Sequence, residues 1–208
     1  MPEDEPKEGH LCDFGINAAG NVRLRIRGER GQRVILRFGE LLAKDGGLDL
    51  RGMIFEPLEY LFRTVYILKG GDGEIFVPHF SCMGFRYCLV LGITPEQATP
   101  DLLRFEFLHS AFPKIGSFSS SDQVINRLQK AVETADLSNF HYFPTDCPHR
   151  EKHGWIGDAS LSGEEILLSQ VLPEGAYGRC RLTDGWVFAD TRTALRDARS
   201  GEYRLIRE

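Results

Sequence analysis

Nowhere in these 208 residues is there an apolar run of eighteen, the length that a membrane-spanning helix needs. No block of lysine and arginine occurs either: 25 basic residues stand against 30 acidic ones, for a net charge of −5. Nucleic acid and anionic membrane both demand clustered positive charge, so neither partner is expected, and a carbohydrate or neutral ligand fits better. The opening, "MPEDEPKEGH", has none of the basic-then-apolar character of a secretory signal, and the expected location is the cytoplasm. The five cysteines, at 12, 82, 88, 147 and 180, are odd in number and lack CxxC spacing. Neither a disulfide framework nor a zinc ribbon is indicated; reduced, mostly buried thiols and no cofactor are expected.

What is present is globular in character, with 42% hydrophobic residues and 11% aromatic. The first hundred residues are strand material. "NVRLRIRG" alternates Val22, Leu24 and Ile26 with Arg23, Arg25 and Arg27, apolar on one face and charged on a solvated other face. "QRVILRFGE", "YLFRTVYILKG", "EIFVPHF" and "FRYCLVLGI" repeat the theme between Gly, Pro and Asp-Gly punctuation. Short strands joined by turns imply an antiparallel sandwich of two facing sheets. Its expected core is Val22, Leu24, Ile26, Val34, Leu36, Val65, Ile67, Phe85 and Leu89, with Gly84 serving a tight turn.

The texture changes near residue 118. "SFSSSDQVINRLQKAVETADLSNF" opens with capping residues and then spaces Val124, Leu128, Ala131, Val132 and Ala135 by three and four. An amphipathic helix of about four turns follows, its apolar stripe expected to pack on a second helix from Asp158 through "ASLSGEEILLSQ". Between them lies "FPTDCPHREKHGWIGDA", residues 143–159, which crowds Asp146, Arg150, Glu151, Trp155 and Asp158 into thirteen positions. A loop held between packed helices is a common place for reactive side chains.

"PTDCPHREKHGWIGDA" resembles the motif of bacterial α-L-rhamnosidases of glycoside hydrolase family 78, where Asp-Cys-Pro-x-Arg is followed by Glu, Gly-Trp and Asp. Upstream, "CDFGINAAGNVRLRIRG" and "YILKGGDGEIFVPHFSCMGFRYCLVLG" resemble strands of that family's concanavalin-like β domain. The resemblance covers roughly residues 11–169. It implies an α+β chain: an antiparallel β-sandwich followed by the first helices of an incomplete (α/α)6 barrel. The implied divisions are a disordered stretch at 1–10, the sandwich at 11–108, the start of the catalytic barrel with its acid loop at 109–170, and an irregular tail at 171–208.

The resemblance also assigns roles. Glycosidic cleavage needs a protonated carboxyl at the leaving oxygen and a second carboxylate to activate water. Glu151 is the implied general acid, with His153 where an apolar residue is common in the family. Asp146, Arg150 and Asp158 would bind sugar hydroxyls, and Trp155 would pack on the apolar face or methyl group of the deoxy sugar. Asp146 and Asp158 push the Glu151 pKa up while Arg150 and Lys152 pull it down, and the sequence leaves that balance open. Plainer readings stand beside these. Asp146 caps a turn with Arg150 as its ion-pair partner, Asp158 is an N-cap, Trp155 is core, and Cys147 is a packed small hydrophobe. Gly154 and Gly157 supply tight turns. His141, Asp146, Cys147, His149 and His153 are close in sequence, but their spacing argues against a metal site.

The family pattern then fails. "VLPEGAYGRCRLTDGWVFADTRTALRDARSGEYRLIRE" has no helical period and matches nothing in the family. The expectation is a truncated enzyme whose tail comes from a shifted reading frame or the end of a gene fragment. The family's general base has no counterpart: Glu164 and Glu165 are too near the acid in sequence, and Glu174, Glu202 and Glu208 lie in the tail. Such a chain is expected to be inactive by itself and to self-associate through the unburied stripe of its incomplete barrel. The alternative is a non-catalytic sandwich module that binds carbohydrate or another subunit.

Overall fold

The computed structural model describes residues 6, 8–53, 62–111, 114, 116–141, 144–155, 157–158, 161–163 and 166. They fall into two units. The first is Met1–Leu108 together with Pro148–Glu151, and the second takes His109–Cys147 and the described residues from Lys152 on.

The first unit is an antiparallel sheet of β1 (Gly9–Ile26), β2 (Arg33–Gly39), β5 (Arg63–Ile67), β6 (Glu74–Phe76), β7 (Met83–Leu91) and β8 (Leu103–Phe107). A short ribbon of β3 (Leu41–Leu42) and β4 (Leu48–Asp49) stands apart. The strand order is β5-β2-β7-β1-β6, with β8 also on β1. Instead of two separate sheets, one hydrogen-bonded network is formed, because the 18-residue β1 is shared. Its first half pairs with β7, Cys12 facing Cys88, and its second half pairs with β8 and β6, Val22 facing Phe105 and Leu24 facing Phe76. One long strand with three partners lets residues from every part of the network reach a common core.

That core holds Val22, Leu24, Ile26, Val34, Leu36, Phe38, Phe85, Cys88 and Val90. Phe85 meets Phe38, Phe14 and Phe105 at ring-centroid distances of 4.7, 5.8 and 4.9 Å. Full burial of one such apolar side chain is worth about 1.5–3 kcal/mol. Arg23, Arg25 and Arg27 lie exposed on the opposite face, as their alternation requires. Three expected core residues are placed otherwise. Val65 and Ile67 lie on the outer face of β5, Ile67 60% exposed, while the intervening Tyr66 turns inward. "TVYI" is apolar at both parities, so its pattern names no face. Leu89 is only half-buried, and Cys88 and Val90 are buried instead. The β1–β7 register shifts between Asp13 and Ala18, which breaks the simple period of two opposite this stretch.

Polar ties complete the sheet. Buried Asn21 donates from Nδ2 to the carbonyls of Pro78 and Ser81, at 2.9 and 2.5 Å. Tyr66 Oη donates to Glu74 Oε2 at 2.7 Å, and the backbone N–H groups of Lys69 and Gly70 donate to the same carboxylate. Gly84 makes no turn. It is buried within β7, and a Cβ there would come within 2.7 Å of Pro148 Cγ and 3.1 Å of His149 Cβ. The absence of a side chain is what allows residues 148–149 to lie against the sheet.

In the second unit, α1 spans Gln123–Asn139. Asp122 caps it, accepting from Val124 N–H at 2.7 Å, and the Asn126 side chain exchanges hydrogen bonds with the Ser120 backbone. The expected apolar stripe is not its buried face. Val124 and Leu128 are each 62% exposed, and Ala131 and Ala135 are exposed as well. The buried positions are Asp136, Ser138 and, just past the helix, Phe140. A stripe gains burial only from a partner, and no described residue covers Val124 or Leu128. Positions 157–158, 161–163 and 166 are helical, where the second helix was expected.

Candidate active site

The motif loop begins where α1 stops. Thr145 turns back on the helix end, its N–H and hydroxyl both donating to the Asn139 carbonyl at 2.8 and 3.0 Å, while Phe140 bridges Pro144. This places Asp146 at the first position of a closed loop. Its N–H donates to the His153 carbonyl at 3.0 Å, and its Oδ1 accepts from His153 N–H at 2.9 Å. Burial pushes the Asp146 carboxyl up, but hydrogen bonds from the Cys147 side chain and from nearby backbone N–H groups outweigh it and lower its pKa. The plain reading of Asp146 as a turn cap therefore holds physically, whatever else the residue does.

The six residues thus bracketed carry Arg150 and Glu151. Arg150 Nη2 lies 3.3 Å from Glu151 Oε1, so its ion-pair partner is the adjacent acid. His149, largely buried, has Nδ1 3.7 Å from Glu40 Oε1. The left-handed turn of the loop falls on Lys152, with φ 55°, and Gly157 needs no such geometry. For a residue with a Cβ that conformation costs about 1–2 kcal/mol, which the two Asp146–His153 hydrogen bonds can sustain. Trp155 is 55% exposed, so it is not core; its N–H donates to the His153 carbonyl at 3.0 Å and its ring centroid is 6.3 Å from that of His153.

Asp146 and Asp158, twelve positions apart in sequence, line one cavity of about 150 Å³ in the second unit. Asn139, Thr145 and Ser162 add polar groups, and Phe140, Pro144 and Ile166 add apolar walls. Asp136 joins them from α1, a buried acid that the motif does not include. Its sequence signal was faint: it sits four residues after Val132, on the flank of the apolar spacing. The cavity is smaller than the roughly 300–1,000 Å³ of ordinary small-molecule sites. Carboxylates, amide and hydroxyl groups around a partly apolar surface suit a polyhydroxylated ring with an apolar face. Among the described residues no group of three His, Cys, Asp or Glu side chains is arranged to hold a metal ion. Glu164, Glu165, Glu174, Glu202 and Glu208 lie outside the described residues.

Two family models match the sequence: the bacterial alpha-L-rhamnosidase concanavalin-like domain over residues 3–109, and the bacterial alpha-L-rhamnosidase 6 hairpin glycosidase domain over residues 113–169. The chain belongs to the bacterial α-L-rhamnosidase family. An α-L-rhamnosidase of Formosa agariphila is 32% identical over 160 residues, which are 76% of this chain and 17% of that protein. Another, from Streptomyces avermitilis, is 33% identical over 159 residues, 76% of this chain and 15% of its own length. Among solved structures, the α-L-rhamnosidase from Dictyoglumus thermophilum matches with a TM-score of 0.73 at 32% identity, covering 80% of this chain and 19% of that one. The Streptomyces avermitilis α-L-rhamnosidase complexed with L-rhamnose gives a TM-score of 0.71 at 27% identity, over 80% of this chain and 16% of that one. The family match therefore takes in the sheet, α1 and the motif loop, while the chain spans less than a fifth of these relatives.

Proposed function

We propose that these residues supply the acid side of an inverting α-L-rhamnosidase site, one that removes terminal α-L-rhamnose from glycosides. Glu151 is the general acid, protonating the leaving oxygen, and Asp146, Asp158 and Arg150 hold sugar hydroxyls by charge-assisted hydrogen bonds. Trp155, half-exposed beside His153, offers the flat wall on which the methyl-bearing face of the sugar packs. In this reading α1 and the helical positions after Gly157 belong to the first hairpins of an (α/α)6 barrel, preceded by the β domain at 11–108. The observation that carries the proposal is the single cavity shared by Asp146 and Asp158, with family membership giving it a substrate class.

Arg150 has two tasks to reconcile. In the structure its guanidinium lies against Glu151, at 3.3 Å. To hold a sugar hydroxyl, Arg150 turns from Glu151 to the sugar on binding. Inversion further requires a carboxylate about 6.5–9.5 Å across the sugar to deprotonate water, and no described residue fills that role. The 208-residue chain by itself is accordingly expected to show no turnover.

The test is a chimera in which residues 3–169 replace the matching segment of the Dictyoglumus thermophilum enzyme. It should hydrolyse α-L-rhamnosides, and Glu151→Gln should lower kcat on alkyl rhamnosides by about 10²–10⁴-fold, with a smaller loss on a nitrophenyl rhamnoside, whose leaving group needs little protonation. Equal losses on both substrates, or none, would remove Glu151 from the role of acid.

A further inference from the structure

Cys12 and Cys88 are opposed partners in the β1–β7 ladder. Neighbours directly across an antiparallel ladder have Cα atoms about 4.5–5.5 Å apart, inside the roughly 4.4–6.8 Å span of disulfides. They also point to the same face, and here both face the core: Cys88 is fully buried in it and Cys12 packs against it. Both thiols are free. We propose that Cys12 and Cys88 are a cross-strand dithiol that small-molecule disulfides oxidise to an intrachain bond.

Access comes from the β1 side. Cys12 is only half-buried, and Gly9–Asp13 pairs with β7 along one edge, whereas the ladders to β8 and β6 start at Gly20 and Leu24. Among the described residues no ladder runs along the second edge of Gly9–Asp13, so this end of β1 opens more readily than the centre of the sheet. Cys12 is thus the attacking thiol. As thiolate it attacks one sulfur of a disulfide RSSR, forming Cys12–S–S–R and expelling RS⁻, which takes up the proton that Cys12 released. Cys88 then loses its proton and attacks the Cys12 sulfur, forming the Cys12–Cys88 bond and expelling the second RS⁻, which leaves as RSH. Two electrons pass from the dithiol to RSSR, and two RSH are produced.

Neither step is fast at neutral pH. Burial raises the Cys12 thiol above its ordinary value, and burial together with the nearby Cys12 raises Cys88 further. The rate should climb about tenfold per pH unit below those values. Facing Cβ atoms in a ladder sit slightly farther apart than disulfide carbons prefer, about 4.5–5.5 Å against 3.5–4.5 Å, so the bond pinches the strands together and is readily reduced again.

The experiment incubates the folded 208-residue chain with oxidised glutathione and maps tryptic peptides without reduction. Cleavage after Lys7, Arg23, Arg86 and Arg104 puts Cys12 in peptide 8–23 and Cys88 in 87–104, apart from Cys82 in 70–86 and Cys147 in 131–150. The expected result is a linked 8–23/87–104 species with two reduced glutathiones released per chain, and scrambled links when the same reaction is run in concentrated guanidinium. Cys88→Ser should stall Cys12 as a glutathione adduct; should that variant fail to fold, the map of the unsubstituted chain still decides. A persistent Cys12 adduct in the unsubstituted chain, or links from either cysteine to Cys82, Cys147 or Cys180 in its folded state, would overturn the proposal.

Discussion

In the sheet unit, Val22, Leu24, Leu36, Phe38 and Phe85 are wholly shielded by side chains of the same unit, whereas α1 in the helical unit presents Val124 and Leu128 to solvent. The difference is one of geometry before it is one of composition. A ladder brings distant strands together and closes a core within about a hundred residues, but a single helix has one stripe and must borrow the surface that covers it. The two units accordingly divide the work. The sheet is held by its own packing, and the helical unit is organised around polar closure: the Asp122 cap, the Thr145 turn and the Asp146–His153 bracket.

The sharpest way to break this contrast is to truncate one apolar side chain in each unit. Phe85→Ala should cost about 3–5 kcal/mol in urea denaturation, because it removes a ring packed on three others. Leu128→Ala should stay within about 0.5 kcal/mol, as expected of an exposed position. Comparable costs at the two sites would mean that α1 is covered in solution. Gly84→Ala should come next, at about 1–3 kcal/mol, since its Cβ collides with Pro148 and strand β7 cannot yield. Its diagnostic sign is faster tryptic cleavage after Arg150 and Lys152, with α1 helicity unchanged by circular dichroism; an unaltered cleavage rate would show that residues 148–149 do not depend on Gly84.

The smallest effect concerns acid. The Arg86 side-chain hydrogen bond, aided by the Gly15 N–H, holds Asp13 down at about 2. A depressed carboxylate contributes stability above its unfolded pKa, near 3.9, and loses it as pH falls through the folded value. Asp13→Asn should therefore lower stability near neutrality, where that contribution is fully present, and flatten the profile between about pH 4 and 2, so that the two chains converge in acid. A profile of unchanged slope would mean that the pair contributes nothing, as exposed ion pairs often do.

How far the sequence discloses all this depends on whether a pattern has a single solution. The alternation of Val22, Leu24 and Ile26 with three arginines does, and their burial follows. "TVYI" does not, so Tyr66 turns inward where Val65 and Ile67 were expected. The stripe of α1 is a true helical period, yet period alone cannot say whether a covering surface exists. In the loop, residue types name the chemistry, but the backbone roles follow from hydrogen bonds that no spacing encodes. Lys152, not a glycine, takes the left-handed turn, Gly84 is a docking seat and not a bend, and Asp136 reaches the cavity from a position that the motif never marks.

The length of β1 bears on how this protein is made. The strand is made before every partner of its second half: Leu24 and Ile26 wait for β6, which ends at Phe76, and Val22 waits for β8, which ends at Phe107. Phe76 follows Ile26 by 76 − 26 = 50 residues and Phe107 follows it by 107 − 26 = 81, about 2.5–10 s and about 4–16 s of synthesis at 5–20 residues per second. Until those partners arrive, Val22, Leu24 and Ile26 are an unclaimed apolar edge, open to other nascent chains. The alternating Arg23, Arg25 and Arg27, which do little for the finished core, repel a second copy of the same strand during the wait and act as built-in protection against pairing between chains.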